Sequence, residues 1–319
     1  MNVFSKIILI STFFLVDAYA QIAGEPCCIE PWMASRNDIA FFGGFESDSL
    51  SMIGTDLWNN KWGIGFSNRI ENATIINDPQ GFLGKVLRVS YPKGKFGPQE
   101  TGIQFPIAFE HIERMTKKRF DSLYIRYYVQ FENGFDFKLG GKLPGIMGCT
   151  ESWARSGGSR PNGANGWTLR LMWRKNGNAV VYAYLPPHKY GGVQWGLDID
   201  LNRQFKAGLW YCIEQFVKIN EIGKENGVLK VWINEEEVLS LDDVLYRKVD
   251  NDAGKIGGIY VSTFHGGNNI DWAPDNDSYA LFDGFTAAKE KRIASYKKNS
   301  EIAKVKSSEK LSREPKASK

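Results

Sequence analysis

Only three histidines and four cysteines occur in this 319-residue chain, and no Cys-x-x-Cys pair is among them. A zinc site built on the usual Cys/His spacing is therefore not expected, and no cofactor is implied. Beyond the first 20 residues no apolar run is long enough to cross a bilayer. Long helical periodicity and internal repeats are also missing, which excludes helix bundles and solenoids. No recognisable nucleic-acid-binding motif is present. The net charge of +4 is an accident of one end: residues 289–319 carry 11 Lys/Arg against 4 Asp/Glu, leaving 29 against 32 for the rest. That last segment is rich in Lys, Ser and Glu and poor in aromatics, so it is expected to be a disordered or loosely helical basic tail.

The other end carries an export pattern. Lys6 precedes the short apolar run Ile7 to Val16, and Ala18-Tyr19-Ala20 is a small-x-small cleavage site before Gln21. Residues 1–20 thus read as a secretory signal peptide, with no membrane association after its removal. In an oxidising compartment Cys27, Cys28, Cys149 and Cys212 would form two bridges. Vicinal pairing strains disulfide geometry, so Cys27 and Cys28 are each expected to reach toward Cys149 or Cys212. Residues 21–40 form an N-terminal extension and 41–288 one domain.

That domain is expected to be all-β. Short alternating runs separated by turn residues recur, among them Lys85 to Tyr91, Ser122 to Val129, Thr168 to Trp173, Ala179 to Leu185, Tyr211 to Ile219, Val228 to Ile233 and Gly258 to Phe264. Many strands at modest spacing point to a jelly-roll β-sandwich of antiparallel strands, whose concave face can hold an extended polymer.

The densest chemistry lies between Gly140 and Pro187. Gly140-Gly141-Lys142-Leu143-Pro144-Gly145 leads, through a Gly/Ser/Asn-rich loop, to the hairpin Trp167 to Arg174, Lys175-Asn176-Gly177, Asn178 to Leu185. Strand parity places Leu169, Leu171 and Trp173 on one face and Thr168, Arg170, Met172 and Arg174 on the other. A two-residue Asn-Gly turn would set the two polar faces on opposite sides. A three-residue loop with Gly177 in the left-handed region instead puts Arg170 opposite Tyr182 and Thr168 opposite Tyr184, with every apolar alternate on one side. A lysine, an arginine and two tyrosines on one face suit β-elimination in a uronate chain. A cation neutralises the sugar carboxylate, and phenols act as base and acid if a cation lowers their pKa. Which tyrosine does which stays open. Hydrolysis would require two placed carboxylates, and the nearest segment, Leu197 to Asn202, lacks the Glu-x-Asp-x-x-Glu strand of laminarinase-like enzymes.

Gly-Gly-Lys-Leu-Pro-Gly, Leu-Arg-Leu-Met-Trp-Arg and Tyr-Ala-Tyr-Leu-Pro together resemble family 14 of the polysaccharide lyases, which includes alginate lyases of molluscs and a chlorella-virus lyase. The resemblance runs from about Phe41 to Phe285, including Ser262 to Gly267 and Trp272-Ala273-Pro274. It implies a β-jelly roll and metal-independent, endolytic β-elimination of an acidic polysaccharide, alginate or a glucuronan-type uronan. The family's catalytic lysine falls on Lys142, its arginine on Arg170 and its tyrosines on Tyr182 and Tyr184. A position usually held by serine is Thr168 here. Thr168, Gln104 and His265 are candidate sugar contacts, and Trp167, Trp173 and Trp195 are candidate stacking platforms, with parity favouring the core for Trp173. The chain is expected to be a monomer. The rival reading is an inactive lectin-like or matrix protein using the same groove.

Overall fold

The computed structural model describes residues 36–48, 62–64, 67–113, 115–149, 160–192 and 195–295. The expected signal peptide and most of the expected N-terminal extension lie outside them, as do Cys27, Cys28 and residues 296–319. Among the described residues no helix is long and apolar enough to cross a membrane.

Fourteen strands are described. In chain order they are β1 (Ile39–Gly43), β2 (Ala73–Asn77), β3 (Lys85–Tyr91), β4 (Ile103–Ala108), β5 (Ser122–Phe131), β6 (Gly140–Gly148) and β7 (Trp167–Arg174). Then follow β8 (Asn178–Tyr184), β9 (Leu197–Gln204), β10 (Trp210–Lys218), β11 (Gly227–Ile233), β12 (Glu236–Val244), β13 (Gly258–Thr263) and β14 (Ser278–Ala288). They build two antiparallel sheets packed face to face, a β-sandwich of the jelly-roll type. One has the order β12-β11-β10-β5-β14-β3-β2, with β1 also on β14; the other runs β4-β13-β6-β7-β8-β9. Every strand read from alternation is present, to within two residues at its ends. The stretch after Phe109 is one 3-10 turn, Phe109–His111, and then irregular chain.

Alternation places the core between the sheets. Leu87, Val89, Ile125, Val129 and Ile213 from the larger sheet meet Ile146, Leu169, Leu171, Trp173 and Val181 from the smaller. Burial of this apolar surface supplies most of the stabilisation. Three hydrogen bonds from two polar side chains tie the site-bearing strands to the opposite sheet. Gln215 Nε2 donates to Leu169 O at 3.1 Å, and the Ile146 N–H donates to Gln215 Oε1 at 3.3 Å. Tyr127 Oη donates to Pro144 O at 3.0 Å. Buried groups paired in this way avoid the penalty of an unmade hydrogen bond, so they hold β6 and β7 in one relation to the opposite sheet.

The packed chain runs past the expected boundary at residue 288. Lys289 to Ser295 lie on the outer face of the larger sheet, where Arg292 Nε donates to the buried Glu214 carboxylate at 2.9 Å and the Ile293 N–H to its other oxygen at 2.5 Å. Arg126 donates to Ala294 O, and Arg36 to the carbonyls of Lys291 and Arg292. An aliphatic side chain, Ile293, and a buried acid in need of a partner explain why this part of a basic segment is docked. Cys149 and Cys212 are buried on opposite outer faces of the sandwich, Cys149 beside Met147 and Tyr260, and Cys212 between the core residues Tyr211 and Ile213. No disulfide joins two described residues.

Candidate active site

The outer face of the smaller sheet is the floor of a groove of about 1010 Å³. Its centre is the β7–β8 hairpin, in the register the apolar alternates require: Arg170 pairs with Tyr182, and Thr168 with Tyr184. The turn differs in detail. Both Asn176 (φ 62°) and Gly177 (φ 82°) are left-handed, where only Gly177 was expected to be. A side chain on Gly177 would meet Phe205 O at 2.3 Å, so glycine is required there. The three-residue length, not the turn type, sets which faces meet.

Lys142 enters from β6. Its partner on β7 is Met172, and a one-residue register shift follows before Gly145 pairs with Arg170. Leu143 lies in the core while Lys142 lines the groove, and the bulge sets Gly145 opposite Arg170. Lys142 is 9% exposed. Its Nζ lies 2.9 Å from Met172 Sδ, a weak acceptor, and 4.0 Å from the centre of the Tyr182 ring. Burial, reinforced by the charges of Arg170 and Arg174, pushes the amine well below its ordinary pKa; Asp198 opposes this without cancelling it.

Arg170 is 1% exposed. One terminal nitrogen donates to Ser262 Oγ at 3.0 Å, and Nε has no hydrogen-bond partner. The guanidinium carbon is 5.3 Å from the Tyr260 ring and 5.7 Å from the Tyr184 ring. Among the described residues neither Lys142 nor Arg170 forms an ion pair, and no Asp or Glu lines the groove. Arg174 contrasts with them: Asp198 holds it by two hydrogen bonds of 2.7 and 2.6 Å, while its guanidinium sits 5.5 Å from the Tyr182 ring. A buried guanidinium without a counter-ion is costly unless a ligand brings the missing charge.

Tyr182 and Tyr184 stand edge to face, ring centres 5.2 Å apart. Burial raises the Tyr182 phenol above its ordinary pKa, Tyr184 raises it further, and Arg174 and Arg170 oppose this only in part. Burial thus outweighs the neighbouring guanidinium groups, which alone would make the Tyr182 phenol ionise more readily. Desolvation is the largest effect, and the Arg174 guanidinium, 5.5 Å from the ring centre, offsets it only in part.

The family model of polysaccharide lyase 14 matches residues 80–285. This chain belongs to the polysaccharide lyase 14 family. Its structure is similar to that of the marine PL-14 alginate lyase from Aplysia kurodai, with 24% identity, a TM-score of 0.64, and coverage of 79% of this chain and 99% of that one. It is also similar to an alginate lyase from Chlorella virus, with 20% identity, a TM-score of 0.57, and coverage of 72% and 93%. A mutant of alginate lyase Aly36B in complex with alginate tetrasaccharide matches with 21% identity and a TM-score of 0.63, over 78% of this chain and 96% of that one. At such identities the structural likenesses establish the fold. No curated protein sequence matches the chain.

In this family-14 lyase the remaining candidates separate. Gln104 lines the groove, its Nε2 donating to Tyr260 Oη at 2.9 Å and to Ser262 Oγ at 3.1 Å. Thr168 is on the groove side of β7 by parity but is fully buried, so it does not reach the groove surface. His265 is not a cleft residue. It is 0% exposed and points into the core, packed between Tyr91, Phe135 and Trp173, with Phe135 stacked on it at 5.6 Å. Burial pushes its imidazole down to about 4, so it is neutral. The alternation Tyr260, Ser262, Phe264 toward the groove and Val261, Thr263, His265 away from it carried that signal. Trp167 and Trp173 are core residues, whereas Trp195, 55% exposed, lines the groove. Arg174, Tyr260 and Trp272 also line it and were not singled out as candidates. Parity marked the first two, while Trp272 sits on a loop that carries no period.

Proposed function

We propose that this lyase is exported and cleaves an acidic, uronic-acid polysaccharide, alginate or a glucuronan-type uronan, by β-elimination without a metal ion. The observation that carries this reading is the buried guanidinium of Arg170, which forms no ion pair with a described residue, beside the buried Lys142 amine in a groove that no described carboxylate lines. A uronate supplies the missing anion at each sugar; a neutral glycan would leave the guanidinium without a partner.

Lys142, Arg170, Tyr182 and Tyr184 then act as follows. Arg170 binds the carboxylate and the negative charge that grows on it as the adjacent C–H bond breaks. The depressed Lys142 amine is available unprotonated and takes that proton. Tyr182, which holds its proton, delivers it to the glycosidic oxygen as the C–O bond breaks and the C=C bond forms. The ammonium of Lys142, lying against the Tyr182 ring, returns a proton to the phenolate and resets both groups. Tyr184 fixes the orientation of the Tyr182 ring. This division replaces the sequence-based assignment of both proton transfers to the phenols. Thr168 and His265, buried away from the groove, take no part in sugar binding.

Because the Arg170 guanidinium, the Lys142 amine and a proton-bearing phenol perform the steps that need charge or a proton, turnover is expected to persist in chelator; loss of activity restored by calcium would contradict this. The direct test is incubation with a panel of uronans while the absorbance of unsaturated uronate is followed, with a carboxyl-reduced polymer as control. New absorbance on the uronan alone is expected. Reducing ends without absorbance would indicate a hydrolase, and binding without either would indicate a lectin.

A further inference from the structure

Arg170 reaches its place by an unusual route. It starts on β7 and its guanidinium bonds Ser262 on β13, although β6 lies between those strands. The residue of β6 that pairs with Arg170 is Gly145, and Gly145 also pairs with Tyr260 of β13. A side chain on Gly145 would lie 2.0 Å from Leu169 O and 2.5 Å from the Cα of Arg170. The glycine therefore leaves the passage through which the arginine crosses. At the far side Ser262 Oγ is fully buried and lies 3.1 Å from Gln104 Nε2 as well as 3.0 Å from Arg170. Gln104 pairs with Ser262 across β4–β13. Its amide is oriented from behind, since Asn68 Nδ2 donates to Gln104 Oε1 at 3.4 Å and to Pro98 O at 2.6 Å.

Two donors, a guanidinium and an amide, thus converge on one hydroxyl oxygen, which must accept from both. A neutral acceptor fixes the direction of a guanidinium without cancelling its charge. A carboxylate in the same place would aim it equally well and abolish its attraction for an anion. Resting on the uronan-lyase reading above, we infer that Ser262, held by Gln104, is a positioning residue that aims the uncompensated charge of Arg170 at the substrate's carboxylate.

The test is a double-mutant cycle on turnover of a polyuronate. Ser262→Ala should lower kcat/KM about 10- to 100-fold, the value of one hydrogen bond to a charged group. The loss should fall mainly on kcat, because the aimed charge matters most when the enolate-like charge forms. In an Arg170→Ala background the same Ser262 substitution should cost nothing further. Ser262→Cys, close in size and a poor acceptor, should reproduce the Ser262→Ala loss if the alanine variant packs badly. Equal losses in both backgrounds, or a Ser262→Ala variant as fast as an active parent, would overturn the positioning role alone. A parent that produces no unsaturated uronate from any polymer would overturn the lyase reading and this inference with it.

Discussion

Replacing Lys142 by methionine separates stability from activity, and the structure gives the sign of both effects. The amine is nearly buried, its one close polar neighbour is the Met172 sulfur at 2.9 Å, and Arg170 and Arg174 repel its charged form. A buried polar group without a good partner costs about 1–3 kcal/mol, and methionine fills nearly the same volume without that cost. Lys142→Met should therefore stabilise the fold by about 1–3 kcal/mol, or about 2–4 °C in Tm per kcal/mol for a domain of this size. Because the folded-state pKa is depressed, the unfolded chain binds more protons than the native one between that value and about 10.4. Stability of the parent therefore rises with pH across this window and is lost as pH falls through it. The variant lacks the slope, so its advantage should be larger at neutral pH than at pH ~10. Urea unfolding of both proteins at neutral and alkaline pH measures this. Turnover should drop by about 10²- to 10⁴-fold, the range for loss of a general base. A variant less stable than the parent at neutral pH, or an advantage that does not change with pH, would refute the claim that the amine is held in an unfavourable environment for the sake of chemistry.

Three further outcomes follow from the same contacts. Tyr182→Phe keeps the ring against Lys142 and Tyr184 and removes only the proton-bearing oxygen; kcat should fall about 10²-fold or more with Tm unchanged, and parental kcat would place the acid elsewhere. His265 has a folded pKa of about 4 against an ordinary value of about 6.5, so the parent should lose up to about 3 kcal/mol of stability as pH falls through that interval. His265→Phe should remove that acid lability while activity at neutral pH persists, and an unchanged acid-unfolding profile would contradict the buried neutral imidazole. Ending the chain at Ser295 should leave the thermal midpoint intact, whereas ending it at residue 288 strips Arg292 and Ile293 from the buried Glu214 and should cost about 3–5 kcal/mol; equal midpoints for the two truncations would show that the docked segment carries no stability.

Much of the site was legible because strands impose a period of two and one register satisfies both hairpin faces. Arg170, Tyr182 and Tyr184 converge for that reason, and the exact turn conformation at Asn176 and Gly177 did not matter to it. Four things were not legible. The bulge between Lys142 and Gly145 depends on how β6 fits between β7 and β13, which the spacing of Gly-Gly-Lys-Leu-Pro-Gly does not state. The state of Tyr182 depends on desolvation, and burial depth is a property of the assembled groove rather than of neighbours in the chain. Thr168 shows the same limit: parity gives its side of the sheet but not whether loops cover it. His265 is a different case, since alternation from Tyr260 onward placed it inward and only the adjacent glycines suggested a cleft. The docking of Lys289 to Ser295 was hidden because the segment's composition is that of a solvated tail, while the buried Glu214 that recruits it lies 75 residues earlier or more.

Elimination and hydrolysis of a uronate chain are told apart by degrading a polyuronate in heavy-oxygen water and weighing the products. Elimination breaks the glycosidic bond without adding water, so the new non-reducing ends should carry a double bond and cleavage should introduce no heavy oxygen, after correction for slow exchange at the reducing ends. Saturated products that gain one heavy oxygen per cleavage would contradict the account.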